Sequence, residues 1–201
     1  MRALPIFTLL LASCGGGTAE NEAGPARERG KPVVAPAAAL SPAAAPAPTS
    51  PLGETVGCTP DEDRIFSCKV ASGKRIAICG TGERDAEYRF GESTPELVLR
   101  GGRWASVPYS GGGEAQVAFA SGTTRYIVFS RMVRTNFAAG EPNNPAISDG
   151  VMVLDGEKVI GLQLCDDADT VSIDYDLAEA HFPRADELFS WETDRADRRT
   201  R

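Results

Sequence analysis

From residue 56 onward the chain is a succession of short runs rich in β-branched and aromatic residues, separated by glycine-bearing turns. That punctuation leaves little room for long helices. Ile65 to Val70 and Arg75 to Cys79 flank Ala71-Ser72-Gly73-Lys74, and Tyr88 to Phe90 and Glu96 to Arg100 flank Gly91-Glu92-Ser93-Thr94-Pro95. Ala115 to Ala120 and Arg125 to Arg131 surround Ser121-Gly122-Thr123-Thr124. Val151 to Leu154 and Lys158 to Cys165 surround Asp155-Gly156, a dipeptide suited to a type I′ turn because both central positions need φ > 0. Alternation is clear in Val117/Phe119 and in Tyr126/Val128 against Ile127/Phe129. Four successive hairpins predict an antiparallel all-β domain, a small barrel or a sandwich. The alternative is an open sheet with a helix across one face.

One short C-terminal helix is expected, with Asp176 as its cap, Glu179 reaching back and Pro183 ending it. Ala138 to Gly150, with Gly140, Pro142, Asn143-Asn144-Pro145 and Asp149, has the composition of a mobile surface loop, where binding often resides. The domain is expected to span 56–183, followed by a charged tail over 184–201. In that tail Leu188, Phe189 and Trp191 are expected to pack back, with fraying from Arg195 onward.

The N-terminus carries a different message. One basic residue, Arg2, precedes an apolar run of about ten residues, half of what a bilayer span needs, and the run ends in small residues. This is the layout of an export signal over 1–13. Leu11-Ala12-Ser13-Cys14 resembles the lipobox of bacterial lipoproteins. The resemblance implies a diacylglyceryl group on the Cys14 thiol, cleavage before it, and acylation of the new terminus with palmitate-like chains. The partner implied is a lipid bilayer, held firmly because two buried chains already suffice for stable anchoring. Gly15 stands where the family's inner-membrane retention signal has Asp, so the implied address is the outer membrane, facing the periplasm. Residues 14–55 then form a tether. Seven of the chain's fourteen prolines fall between Gly15 and Thr55, interleaved with alanine triplets. They predict an unstructured, semi-extended spacer with an upper reach of order 130 Å.

Four cysteines remain, Cys58, Cys68, Cys79 and Cys165. In an exported chain they predict two disulfides. With Ser72-Gly73 as a two-residue turn, Cys68 faces position 77 and Cys79 faces position 66, a diagonal that suits a direct bridge poorly. Of three connectivities this favours Cys58–Cys79 with Cys68–Cys165. No C-x₂₋₄-C pair supports a zinc site.

Lysines and arginines number 21 against 28 aspartates and glutamates, and removing Arg2 with the signal leaves 20 − 28 = −8. Such a chain is a poor partner for nucleic acid. Catalytic parts are scarce. His181, the sole histidine, sits near the predicted helix end, where a cation suits the dipole. Ser110 in Tyr109-Ser110-Gly111-Gly112-Gly113 lacks the nucleophile elbow, and no Gly-Lys-Ser/Thr follows these glycines to make a phosphate loop. A turn or bulge accounts for them. Asp166, Asp167, Asp169, Asp174 and Asp176 form an acidic run that fails the EF-hand pattern, with Val171 and Leu177 at its sixth and twelfth positions. It reads as a solvated loop, with a weak calcium site as the alternative. No cofactor and no enzymatic activity are expected.

Lipobox, disulfides, a small β domain and Ser121-Gly122-Thr123-Thr124-Arg125-Tyr126 together are similar to the membrane-bound inhibitors of c-type lysozyme. That resemblance implies that Ser121, with Gly122, enters the lysozyme cleft while Tyr126 supports the loop. The family motif has one fewer residue before its Tyr, and its downstream lysine has no counterpart here, Lys158 being far along the chain. Phe66 to Lys69, Ile78 to Gly80 and Tyr88 to Gly91 also look like segments of uncharacterised bacterial lipoproteins, which imply no activity. The sequence thus predicts a lipid-anchored envelope domain that binds or supports a partner without chemistry, with lysozyme inhibition as the alternative.

Overall fold

The computed structural model describes residues 55–198. The signal, Cys14 and all but the last residue of the tether lie outside the described residues. The architecture is a sandwich of two antiparallel meanders. Sheet 1 holds β1 (Asp63–Lys69), β2 (Arg75–Gly82), β3 (Asp85–Gly91) and β4 (Pro95–Leu99). Sheet 2 holds β5 (Arg103–Tyr109), β6 (Gly112–Ser121), β7 (Thr124–Val133), β8 (Ala146–Asp155) and β9 (Lys158–Leu164). A helix α1 (Tyr175–His181) and a 3-10 helix (Glu192–Arg198) follow. Among the described residues no helix is long and apolar enough to cross a membrane.

The chain changes sheets at Gly101-Gly102. Gly101 has φ of +71°, and a Cβ on Gly102 would sit 2.8 Å from the Phe119 ring and 2.9 Å from Phe182. Only glycine lets the crossover pass this close to the core. Between the sheets lie Ile65, Phe66, Ile76, Ile78, Tyr88, Leu99, Trp104, Val117, Phe119, Val128 and Val151.

Sheet 2 is apolar on its outer face as well. Ile127, Phe129, Met152 and Leu154 are fully buried there with Ala196, and Leu162, Leu164 and Phe189 pack against them. Ile127/Phe129 and Tyr126/Val128 are therefore two buried faces of one strand, and residues 185–198 supply the second cover. The charged tail expected from residue 184 is thus part of the folded unit through the 3-10 helix. It begins by pairing with the free edge of β5, where Ala185 donates to the Trp104 carbonyl (2.7 Å) and Trp104 to that of Pro183 (3.1 Å). Trp191, expected to pack back, is instead 59% exposed, because Leu188 and Ala196 take the inward positions.

Three further expectations change. Arg103–Tyr109, outside the expected hairpins, is a strand. Ala146–Gly150, read as loop, belongs to β8, so Asp149 lies in a strand and is buried. The helix is capped by Asp174, which accepts from Leu177 N at 3.0 Å, and Asp176 falls inside the first turn. Asp174 N donates to the Ile65 carbonyl (3.0 Å), which holds that residue extended and sets the boundary two residues earlier.

The disulfides are Cys58–Cys79 and Cys68–Cys165, with Cα separations of 5.4 and 5.6 Å. The favoured pairing is present, but its register premise needs correction. Cys68 faces Ile76 and Phe66 faces Ile78, because a loop over Val70–Lys74 replaces the two-residue turn and a bulge lies between Arg64 and Phe66. Cys68 therefore points into the inner core, whereas Cys79 lies on the opposite face against the N-terminal segment.

Candidate functional site

Along β8 the residues Ala146 to Asp149 leave the protein edge and enter the sheet, placing Asp149 opposite Ser130 of β7. Its neighbours are polar on one side only. Ser130 accepts from Ile173 N (2.8 Å), and the hydroxyls of Ser130 and Ser172 are near enough to Asp149 to favour its charged form. Oδ1 of Asp149 is buried with no hydrogen-bond partner. With the residue only 7% exposed, burial raises the carboxyl above the usual carboxylate range, and the two serine hydroxyls oppose that rise. A buried acceptor without a donor costs about 1–3 kcal/mol, and native folds rarely carry one without use for it.

Asp149 forms part of the wall between two recesses. The first, about 310 Å³, is lined by Gly112 and Gly113 of β6, Ser130, Met132, Ile147, Ile173 and Tyr175. Met132, Ile147 and Tyr175 are 40%, 60% and 47% exposed, three large apolar or aromatic side chains gathered on one opening. The glycines keep the β6 wall low, and a Cβ on Gly112 would collide with the Met132 carbonyl at 2.1 Å. The second recess, about 220 Å³, is lined by Ile147, Ser148, Asp149, Leu164, Cys165, Asp167 and Thr170. Its floor is polar and acidic.

Arg131, which also lines the first recess, is committed elsewhere. It pairs with Asp197 (3.1 Å) and with the fully buried Glu114 (2.7 Å). Burial pulls the guanidinium down, but bonds to Asp197 and Glu114 outweigh that and hold it above its ordinary range. Glu114 also accepts from Tyr109 Oη, Gln116 Nε2 and Thr193 Oγ1, each at 2.6 Å. Gln116 in turn accepts from Phe189 N (2.9 Å) and Ser190 N (3.2 Å) and donates to the Ser190 carbonyl (2.6 Å). This satisfied cluster fastens the C-terminal segment to sheet 2.

The sequence-derived candidates do not converge on this recess. Ser121 and Gly122 stand exposed at a two-residue turn, Ser121 opposite Thr124, with Gly122 at φ of +61°. Tyr126 is half-buried with its ring 5.9 Å from that of Tyr88. Ser121 lies eight residues from Gly113 along β6, roughly 26 Å. His181 is buried at the end of α1, its Nε2 2.9 Å from Asp63 Oδ2 and its Nδ1 3.1 Å from the Asp85 carbonyl. It braces the helix against sheet 1, and no serine or cysteine hydrogen-bonds its ring nitrogens. Ser110 occupies the β5–β6 turn.

The acidic run disperses. Asp167 bonds Thr170, and Asp174 caps α1. Among the described residues only Cys58, Glu62 and Cys79 bring three potential ligand atoms within 4.8 Å, and those two sulfurs are bonded to each other. The loop between β7 and β8 places Phe137, 73% exposed, beside Arg134 and Trp191 in a shallower cleft of about 420 Å³. Sequence reasoning missed Asp149 because glycine, proline and asparagine just before it read as loop. The available signal was a lone carboxylate at the head of an apolar run, Asp149-Gly150-Val151-Met152-Val153. Set against known proteins, the chain has no match among family models, curated proteins or solved structures.

Proposed function

We propose that this chain is a lipid-anchored binding module of the cell envelope, tethered to the outer membrane through acylated Cys14, with its ligand seat at the Asp149 recess. One observation carries the reading: a buried carboxyl with an unmet oxygen stands in the wall of a cavity rimmed by Met132, Ile147 and Tyr175. Apolar enclosure with a few convergent polar groups is the ordinary build of a small-ligand site. The wall of the recess is built from three adjacent hydrogen-bonded strands, β6, β7 and β8, with residues 172–175 beside them. Acidic net charge and the scarcity of nucleophile–base pairs support binding without chemistry.

The test is a screen of small fragments against the ¹⁵N-labelled full-length chain, read by amide shifts. Shifts clustered at Gly113, Met132, Ile147 and Ser172, and abolished by the exposed substitution Ile147→Arg, support the seat. Shifts elsewhere, or none, overturn it. The anchor is tested separately by incorporation of labelled palmitate, which Cys14→Ser should abolish.

A second reading, inhibition of c-type lysozyme, is favoured by the exposed hydroxyl of Ser121 at a hairpin tip. Charge steering would aid it, since the chain is acidic and that enzyme basic. Stoichiometric loss of lysozyme turnover on adding the full-length chain, relieved by Ser121→Ala, would establish it. Unchanged turnover at micromolar concentration would dismiss it.

A further inference from the structure

We infer that the ligand class of the Asp149 recess is a small amphipathic amine, its ammonium on Asp149 and its hydrocarbon against Met132, Ile147 and Tyr175. The inference rests on the seat proposed above and adds the chemistry of what fills it.

Four features select this class. Oδ1 of Asp149 lacks a donor, and the residue stands in the wall of the recess. An entering group therefore has to donate, and one with positive charge gains most from a desolvated carboxylate. The adjoining recess adds Asp167, also half-buried, so the local field favours a cation and opposes an anion. Arg131 cannot reverse that sign, because Glu114 and Asp197 already pair with it. Finally, the opening is apolar and carries the Tyr175 ring, which suits a hydrocarbon body. At about 310 Å³ the cavity lies at the small end of ligand sites, which run from about 300 to 1,000 Å³. One ring and a short chain are the right size.

The probes are 2-phenylethylamine, 2-phenylethanol and 3-phenylpropionate, matched in bulk and differing in the head group. Each is titrated into the full-length chain at neutral pH and followed by calorimetry and amide shifts. The amine should bind at least tenfold more tightly than the alcohol and shift Gly113, Met132, Ile147 and Ser172. The propionate should not bind, and Asp149→Asn should weaken the amine at least tenfold. If Asp149→Asn does not fold, Ile147→Lys places a competing ammonium at the exposed rim and should abolish amine binding. Amine binding that survives either substitution unchanged overturns the inference. So does an alcohol or acid that binds these residues as well as the amine, an outcome that leaves the seat itself standing. Failure of all three compounds to move these residues removes the seat and the inference together.

Discussion

A chain that stops at Pro183, where the sequence places the end of the domain, should fail to hold its fold. Removing residues 184–198 uncovers Ile127, Phe129, Met152 and Leu154, each now at most 1% exposed. Burying one such side chain contributes about 1.5–3 kcal/mol, so four of them represent on the order of 6–12 kcal/mol, an upper figure because an unfolded chain already hides part of its surface. Domains of this kind are stable by only about 5–15 kcal/mol in total. Glu114 and Gln116 soften the loss little, since they would regain water but lose the partners that position the sheet's outer face. The edge of β5 would also be bared where it now pairs with residues 183–185. Urea titration followed by tryptophan fluorescence and circular dichroism would measure this, comparing chains ending at Pro183, Asp194 and Arg201. The first should show no cooperative transition, and the second, which keeps Leu188 and Phe189 but loses Ala196 and Asp197, an intermediate midpoint. A chain ending at Pro183 that melts at the full-length midpoint would refute the argument that this segment is a second core.

Three other outcomes follow from particular contacts. By loop-closure entropy, replacing Cys68 and Cys165 by alanine should cost about 4.7 kcal/mol and replacing Cys58 and Cys79 about 3.4 kcal/mol, given separations of 97 and 21 residues, and urea midpoints in the reverse order would contradict it. A Cβ on Gly80 would lie 2.5 Å from the His181 ring, so Gly80→Ala should destabilise by about 1–3 kcal/mol, and by clearly less in a His181→Ala background; equal costs in both backgrounds would show that the ring is not the obstacle. Asp149 has a raised pKa in the fold, so its contribution to stability is full at low pH and is lost as pH rises through the folded-state value; the urea midpoint of Asp149→Asn relative to the parent should therefore climb as pH rises above the ordinary carboxylate range, and a fall would reverse the assigned direction.

The hairpins were legible because turn chemistry and apolar runs coincide, as at Ser121-Gly122-Thr123-Thr124 between β6 and β7. The double burial of sheet 2 was also written in the chain, since Ile127 and Phe129 are as apolar as Tyr126 and Val128, but nothing local said that a charged tail would cover one face. Phe189 and Ala196 supply that cover from a segment with too few apolar residues to show a period. β5 escaped notice because Gly101-Gly102 and Pro108 mask a short strand. The cysteine pairing survived a register error of one residue: in the true register Cys68 and Cys79 face opposite sides, which separates them more firmly than the diagonal did. The sequence marks Asp149 only as a lone carboxylate at the head of an apolar run. Its significance lies in one orphaned oxygen, a property of tertiary surroundings that no spacing encodes.

The bond between Cys58 and Cys79 also settles how the domain answers a mechanical load. Any pull on the stem that precedes Val56 reaches Cys58 first and is handed across to β2, an interior strand flanked by β1 and β3. Tension is therefore spread over two ladders at once and does not unzip the margin of the sheet one rung at a time. Reducing that single bond would redirect the same tug onto β1, and the sheet would peel from its N-terminal strand.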